Sequence, residues 1–244
     1  CSQAVHKSHT PLKKLNDTDI AGTTPSNHLD MVKELDVQME MLINTLKKKG
    51  IYENTLFIFT SDNGGLLISE TIKSGHSSND TNRGGKNQAY EGGHNVPFIA
   101  HWPNKIEPNS ISHEPILGID IMATLAAITN QEIDDNQAKD SSNLLPIFLD
   151  EKDIKPHPFI INQSGTGKEV MITKEGWKLI IKIKNEDTSF KVNQKLIALF
   201  NLNQNPSEIE ANNLINNPKY QNKITDLLNT YNKTRSSKVN TGIK

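Results

Sequence analysis

An apolar run that ends abruptly in polar turn residues constrains the fold of this chain more than any other feature. The run TLFIFT covers 55–60, and Ser61, Asp62, Asn63 and two glycines follow it. A short apolar run bounded by turn residues predicts an interior strand of a parallel sheet. Ligands of open α/β sheets bind at the carboxyl ends of strands, so Asp62 and Asn63 are placed to hold a cation or a polar substrate. The structural alternative is a plain turn in which both side chains bond their own backbone.

An amphipathic segment precedes this strand and sets the fold class. Residues 27–50 place apolar side chains at helical spacing, end in a lysine-rich turn and stop at Gly50. The predicted apolar stripe consists of Leu29, Val32, Leu35, Met39, Leu42, Ile43 and Leu46. A second short strand is predicted in 96–103, and a helix in 118–129 carries Asp120 near its start. Helix and strand in alternation predict an α/β fold.

The pattern becomes β-rich after about residue 158. Apolar, β-branched segments follow one another here, and Lys174-Glu175-Gly176 fits a hairpin turn, so a small antiparallel sheet is predicted. An amphipathic helix is predicted from Ile224 to Tyr231, followed by a frayed tail after Lys233. We therefore divide the chain into a domain over 1–157 and a smaller β-rich subdomain over 158–244.

Composition and charge argue against a nucleic-acid partner, a membrane-spanning stretch and sites built from several cysteines. The 244 residues can bury a real core, and 27 basic against 28 acidic residues give a net charge of -1, which does not favour a nucleic-acid partner. No apolar stretch approaches the roughly 20 residues that span a bilayer. The single cysteine, Cys1, excludes an internal disulfide and a metal site built from several cysteines.

Reactive side chains concentrate in four short segments, which are 6–12, 61–65, 75–86 and 90–94. Their mixture of histidine, carboxylate, amide and basic groups suits an anionic substrate, with hard-metal ligands and a histidine for proton transfer.

The segment RGGK, residues 83–86, has paired glycines that allow close backbone approach to a ligand. Its flanking Arg83 and Lys86 can both point at one anion. The spacing of a Walker phosphate loop is absent, which disfavours nucleotide binding. An exposed turn with a solvated charge is the structural alternative for this segment, and for Glu91 and Gly92 a structural role is favoured over a catalytic one.

Taken in order, these motifs resemble one enzyme family. ENTLFIFTSDNGG, RGGK and YEGGHNVPFIAHWPNKI, followed by GIDIMATLAAIT, EGWKLI and ALFNLNQNPSEIEANNL, are similar to the type I sulfatases of the alkaline phosphatase superfamily. The resemblance covers nearly the whole chain. It implies part of an alkaline-phosphatase-like α/β/α sandwich, with a small C-terminal antiparallel sheet and a closing helix.

The resemblance also implies chemistry. Sulfatases of this kind hydrolyse sulfate esters at a calcium ion, with a formylglycine made from the cysteine of a Cys-x-Pro-x-Arg motif. The implied partner is a sulfated small molecule or glycan, in particular a sulfated carbohydrate or an aryl sulfate. The implied location is the periplasm, the cell surface or the exterior.

Individual residues carry implied roles by their match to the family motifs. Asp62 and Asn63 match calcium ligands, and Lys86 matches a sulfate-binding lysine. His9 matches the histidine of a His-x-Pro motif, suited to contacting the sulfate and protonating the leaving oxygen, with His6 as the competing assignment. The implied substrate-binding set is completed by Arg83 and His76.

One part of the family pattern does not match. The nucleophile and a pair of aspartates that complete the calcium site are expected upstream of the His-x-Pro segment. CSQAV lacks the Pro and Arg of the maturation motif, so Cys1 does not stand in for the nucleophile. We therefore expect the chain to be the carboxyl-terminal part of a sulfatase, inactive by itself, with apolar faces of its sheet exposed. A lipid-bearing Cys1 of a processed lipoprotein is the alternative.

Two other functions stay open from the sequence. One is a related metal-dependent phosphoester or phosphonate hydrolase, since the superfamily shares the metal-binding edge. The other is a noncatalytic module that binds sulfated glycans.

Overall fold

The computed structural model describes residues 10–134, 136–151, 154–183 and 194–236. Its strands in chain order are β1 Lys14–Leu15, β2 Thr18–Asp19, β3 Phe57–Thr60, β4 Phe98–His101, β5 Ile160–Gln163, β6 Glu169–Lys174, β7 Trp177–Ile183 and β8 Gln194–Asn201. Its α-helices are α1 Asn27–Lys48, α2 Ser69–Lys73, α3 Glu91–His94, α4 Asp120–Ile128, α5 Leu145–Phe148 and α6 Gln221–Ser236. Short 3-10 turns occur at Tyr52–Asn54, Glu210–Asn212 and Pro218–Tyr220.

Helix α1 confirms the predicted helix but buries a different stripe. Ser26 caps its amino terminus by accepting a hydrogen bond from the Leu29 amide. The helix residues that are buried are Asp30, Met31, Glu34 and Val37, while Val32 and Leu42 of the predicted stripe are exposed. The two acidic residues are buried because their carboxylates accept backbone hydrogen bonds from the preceding segment, for example from Gly22 to Asp30 and from Leu12 to Glu34.

Strand β3 forms where predicted, but its pairing differs from the expectation. It pairs with β4 in antiparallel orientation, with Phe57 opposite His101 and Thr60 opposite Phe98, and the described residues provide no parallel neighbour. Its apolar residues are half-buried rather than fully buried. The apolar run therefore predicted the strand, but it contains no information about the direction of its partner.

The C-terminal sheet is antiparallel, as predicted. Its strand order is β5-β6-β7-β8, and β6 and β7 join at the predicted hairpin turn, where Glu175 and Gly176 have φ values of 53° and 74°. Such positive values suit a tight hairpin connection. The closing helix α6 covers the predicted Ile224–Tyr231 and extends to Ser236, and the tail from residue 237 lies outside the described residues.

The main core is built on this four-stranded sheet. One sheet face packs against α6, through Val170, Ile172, Leu179, Ile181, Leu199, Ile224, Leu227 and Tyr231. The opposite face packs against the 89–90 segment, through Ala89, Met171, Ile180, Ala198 and Phe200. The sheet thus lies between α6 and the loops that bear the reactive residues, and contacts cross the predicted boundary at 157/158.

Apolar side chains are also exposed on elements other than α1, among them α2, β4 and α4. Ile99 of β4 and Met122 of α4 are more than half exposed, at 56% and 52%, and Leu125 of α4 is also exposed. In the part of the chain that the structure describes, no helix combines the length and apolar character needed to cross a membrane.

Candidate functional site

The turn after β3 presents two oxygen donors. Within the described ranges, the exposed Asp62 carboxylate has no hydrogen-bond or ion-pair partner. Asn63 donates its side-chain amide to the Gly64 carbonyl at 2.9 Å, which leaves Asn63 Oδ1 available as an acceptor. Ser61 Oγ donates to the Asn63 carbonyl at 2.9 Å and fixes the turn. A carboxylate and an amide oxygen on neighbouring residues are suited to a hard cation.

Backbone packing holds this turn against α3. The Gly64 amide donates to the Gly93 carbonyl at 3.0 Å. A Cβ atom on Gly64 would lie 1.9 Å from the Gly92 carbonyl oxygen, so any side chain there would collide with backbone. The glycines of the SDNGG and YEGGH motifs are therefore required for the close approach of two backbones.

The RGGK segment is joined to the same turn. The Lys86 amide donates to the Gly65 carbonyl at 3.1 Å. The Asn79 side chain accepts from the Gly65 amide at 2.6 Å and donates to the Gly84 carbonyl at 2.8 Å. The half-buried Lys86 ammonium has no carboxylate or hydrogen-bond partner within the described residues. This cation is thus anchored through its backbone, and its charge is available to an anion.

Arg83 has a different environment. Its guanidinium pairs with Glu210 at 2.6 Å, donates to the Glu208 carbonyl at 3.1 Å and lies 3.8 Å from the centroid of the Tyr90 ring. These contacts tie the RGGK segment to the closing part of the chain and compete with a sulfate ligand. Substrate binding by Arg83 stays a prediction.

The predicted histidines are not all placed. Burial lowers the pKa of His28, and the electrostatic influence of the exposed His76 adds to this effect. His9, His6 and Cys1 lie outside the described residues. The acid that protonates the leaving oxygen therefore stays a prediction.

The donor set fits part of a calcium site. Calcium takes six to eight oxygen ligands, so Asp62 and Asn63 would supply a minority of them. Among residues 10–134, 136–151, 154–183 and 194–236, no group of three or more His, Cys, Asp or Glu side chains is placed to hold a metal. The structure thus shows two matching oxygen donors and no complete metal cage in the described part.

A buried ionic cluster behind α3 was missed by sequence reasoning. The Lys178 ammonium donates to Glu91 Oε1 at 2.7 Å and lies 3.0 Å from His94 Nε2. Lys178 follows Trp177 in β7. In the sequence, a lysine in an alternating strand is expected to face solvent. Glu91, for which the sequence favoured a structural role, is a member of this cluster.

The cluster shifts the pKa of its members. Burial lowers the pKa of His94 to about 4, assisted by the Lys178 charge and opposed by Glu91. Burial acts to raise the pKa of Glu91, but the charges of Lys178 and His94 outweigh it, and that pKa is lowered. Burial raises the pKa of Glu208, against the influence of Lys178.

We expect His94 to make the protein less stable in mild acid. The unfolded chain takes up a proton near the ordinary pKa of 6.5, whereas folded His94 stays neutral down to about 4, so stability is lost as pH falls through this window. Between pH 7 and pH 5 the loss is about 2 kcal/mol of unfolding free energy. Denaturant unfolding of His94→Gln is expected to show a smaller loss, since glutamine keeps an acceptor for Lys178 and does not titrate. The exposed His113 provides the matched control, His113→Gln, and an equal loss in both variants would refute the assignment.

Comparison with known proteins identifies close matches in sequence and structure. The family model described as Sulfatase matches residues 3–131, more than half of the chain. An N-acetylgalactosamine-6-O-sulfatase of Bacteroides thetaiotaomicron is 31% identical over 247 residues, covering 96% of this chain and 46% of that protein. An N-acetylgalactosamine-6-sulfatase of Rattus norvegicus is 32% identical over 149 residues, covering 60% of this chain and 27% of that protein.

A solved structure has the same fold. A Bacteroides thetaiotaomicron protein, described in connection with the metabolism of multiple glycosaminoglycans, superposes with a TM-score of 0.73 at 29% identity, covering 89% of this chain and 46% of that one. The chain therefore spans less than half the length of each of these relatives.

Proposed function

The chain belongs to the sulfatase family, and from this premise we propose that the protein hydrolyses sulfate esters at the edge formed by the SDNGG and RGGK loops. In this proposal Asp62 and Asn63 bind calcium and Lys86 binds the sulfate group. One observation carries the assignment. Two oxygen donors and an ammonium that have no partner among the described residues lie on loops that backbone hydrogen bonds join directly.

The charges of these residues suit the reaction. Negative charge develops on the oxygens of a sulfate ester as its bond to the leaving group breaks, and cations fixed around it stabilise the transition state more than the ground state. Lys86 supplies one such charge from a segment anchored at Gly65. Calcium, when bound, would supply a second. A protonated histidine, proposed as His9, would deliver the proton that the leaving oxygen needs.

Calcium and formylglycine complete the proposal as the family's cofactors. Asp62 and Asn63 fit calcium because both present oxygen atoms, the ligands that this hard cation prefers. The one cysteine of the sequence, Cys1, lies outside the described residues, so no formylglycine position is proposed.

The substrate class follows from the relatives. Two of them are N-acetylgalactosamine 6-sulfatases by name, and we propose a sulfated carbohydrate as the natural substrate. By resemblance to the family alone, we also propose a periplasmic, cell-surface or secreted location.

The direct test of the reaction class is a side-by-side assay. The protein at its native length is given an aryl sulfate and the matching aryl phosphate with calcium present. Preferential sulfate release is expected. Preferential phosphate release would identify a phosphoester hydrolase, and binding of a sulfated glycan without turnover would identify a noncatalytic module.

A further inference from the structure

Lys178 is a fully buried cation on the face of β7 that packs toward the candidate site. Besides Glu91 and His94 it meets a third group, since its ammonium lies 2.8 Å from Glu208 Oε1 in ion-pair contact. The surrounding sheet face is apolar, with Ile180 as a neighbour. Burying these charges costs more than a well-packed apolar residue would, so packing alone does not account for them.

Glu208 contacts two elements at once. While Oε1 faces Lys178 of the C-terminal sheet, Oε2 accepts a hydrogen bond from the Glu91 amide at the start of α3. The Glu208 side chain is fully buried. The carbonyl of the same residue accepts from Arg83, and the Arg83 carbonyl accepts from the Gly92 amide at 2.8 Å. Glu208 therefore reaches α3 by two routes, directly at the Glu91 amide and through Arg83, and it contacts the sheet at Lys178.

Helix α3 in turn contacts the predicted metal turn. Its Gly93 carbonyl accepts from the Gly64 amide, next to Asn63, and its Gly92 carbonyl leaves no room for a side chain on Gly64. A shift of α3 would thus displace the backbone that directs Asp62 and Asn63. The chain of contacts runs from Lys178 through Glu208 and α3 to the turn, with no gap.

We propose that the Lys178–Glu208 pair positions the Asp62–Asn63 turn for calcium, acting through α3. Both are positioning residues, because neither contacts the turn itself. The inference depends on the proposed function for its ligand. It assigns to the C-terminal sheet a part in metal affinity as well as in stability.

The test is calcium binding by titration calorimetry with Glu208→Gln in the protein at its native length. Glutamine has a single acceptor oxygen, so it cannot serve both Lys178 and the Glu91 amide. We expect the calcium Kd to rise about tenfold, the scale of losing an outer-shell partner of a metal ligand. At saturating calcium, KM for an aryl sulfate is expected to change less than about twofold, since Lys86 is untouched.

Two further variants make the result decisive. Lys182→Met changes an exposed lysine of the same strand and is expected to leave the Kd unchanged. If Glu208→Gln is not folded at room temperature by its melting curve, Glu208→Asp replaces it. That variant keeps the charge and both oxygens but is one methylene too short to reach both partners, so its Kd is also expected to rise.

Two negative outcomes are distinguishable. If a folded Glu208 variant binds calcium as tightly as the wild type, whatever its melting temperature, the positioning role is wrong. The proposed function is not affected by that outcome. A wild-type protein that binds no calcium overturns the proposed function and the inference with it.

Discussion

Replacing Asp62 by alanine is expected to reduce sulfate ester hydrolysis about 100-fold or more, the scale of losing one fixed electrostatic contact to the transition state. Asp62 is the charged member of the two oxygen donors at the candidate metal site, so its loss weakens calcium binding. Its carboxylate is exposed and has no partner in the described part of the chain. The melting temperature without calcium is therefore expected to stay at the wild-type value, which separates a loss of metal from a loss of fold.

Two companion variants test this assignment. Asp36→Ala removes an exposed carboxylate from α1 and is expected to leave both rate and calcium affinity unchanged. Lys86→Ala is expected to raise KM and lower the rate for an aryl sulfate, with calcium affinity retained. Calorimetry and steady-state kinetics give both readouts. Wild-type calcium affinity in Asp62→Ala would contradict the role of this residue as a ligand.

Replacing Asp120 by alanine is expected to destabilise the protein by about 3 kcal/mol or more, as for breaking a buried pair and leaving its partners unsatisfied. The Asp120 side chain is fully buried at the start of α4. It accepts from the Leu117 amide at 2.7 Å and the Ser142 amide at 2.8 Å, and it lies 2.8 Å from His157 Nε2. One carboxylate thus holds together three segments that are distant in sequence.

Denaturant unfolding of the protein at its native length measures this effect. Asp120→Asn is expected to cost less than the alanine variant, because asparagine keeps one acceptor oxygen. It still destabilises the protein, because its amide NH2 would face a hydrogen-bond donor. Glu132→Ala removes an exposed carboxylate just beyond α4 and is expected to change the unfolding free energy little. Equal stability of Asp120→Ala and Glu132→Ala would show that the network does not support the fold.

The sequence predicted those elements whose pattern lies within one short stretch of residues. The spacing in 27–50 predicted α1, and the Lys174-Glu175-Gly176 turn predicted the hairpin between β6 and β7. Pairing direction is not local, and the antiparallel partner of β3 could not be found from an apolar run. The buried stripe of α1 was also missed, because Asp30 and Glu34 are buried through hydrogen bonds that periodicity does not reveal.

At the candidate site, too, the sequence predicted what its motifs carry and did not predict contacts between distant residues. Motif order brought SDNGG, RGGK and YEGGH into one hypothesis, and the structure places these three segments in direct backbone contact. Lys178 and Glu208 lie in two further matched segments, EGWKLI and ALFNLNQNPSEIEANNL, but the sequence did not indicate their burial, since a lysine in an alternating strand and a glutamate in a turn usually face water. Their burial depends on contacts between parts of the chain about 30 to 120 residues apart.

The rate of sulfate release from an aryl sulfate, measured on the native-length protein before and after calcium removal, tests the central claim most directly. We expect hydrolysis to be lost in the presence of a calcium chelator and restored when calcium is added back in excess. Undiminished hydrolysis in the chelator would contradict the account of the SDNGG turn as a calcium site.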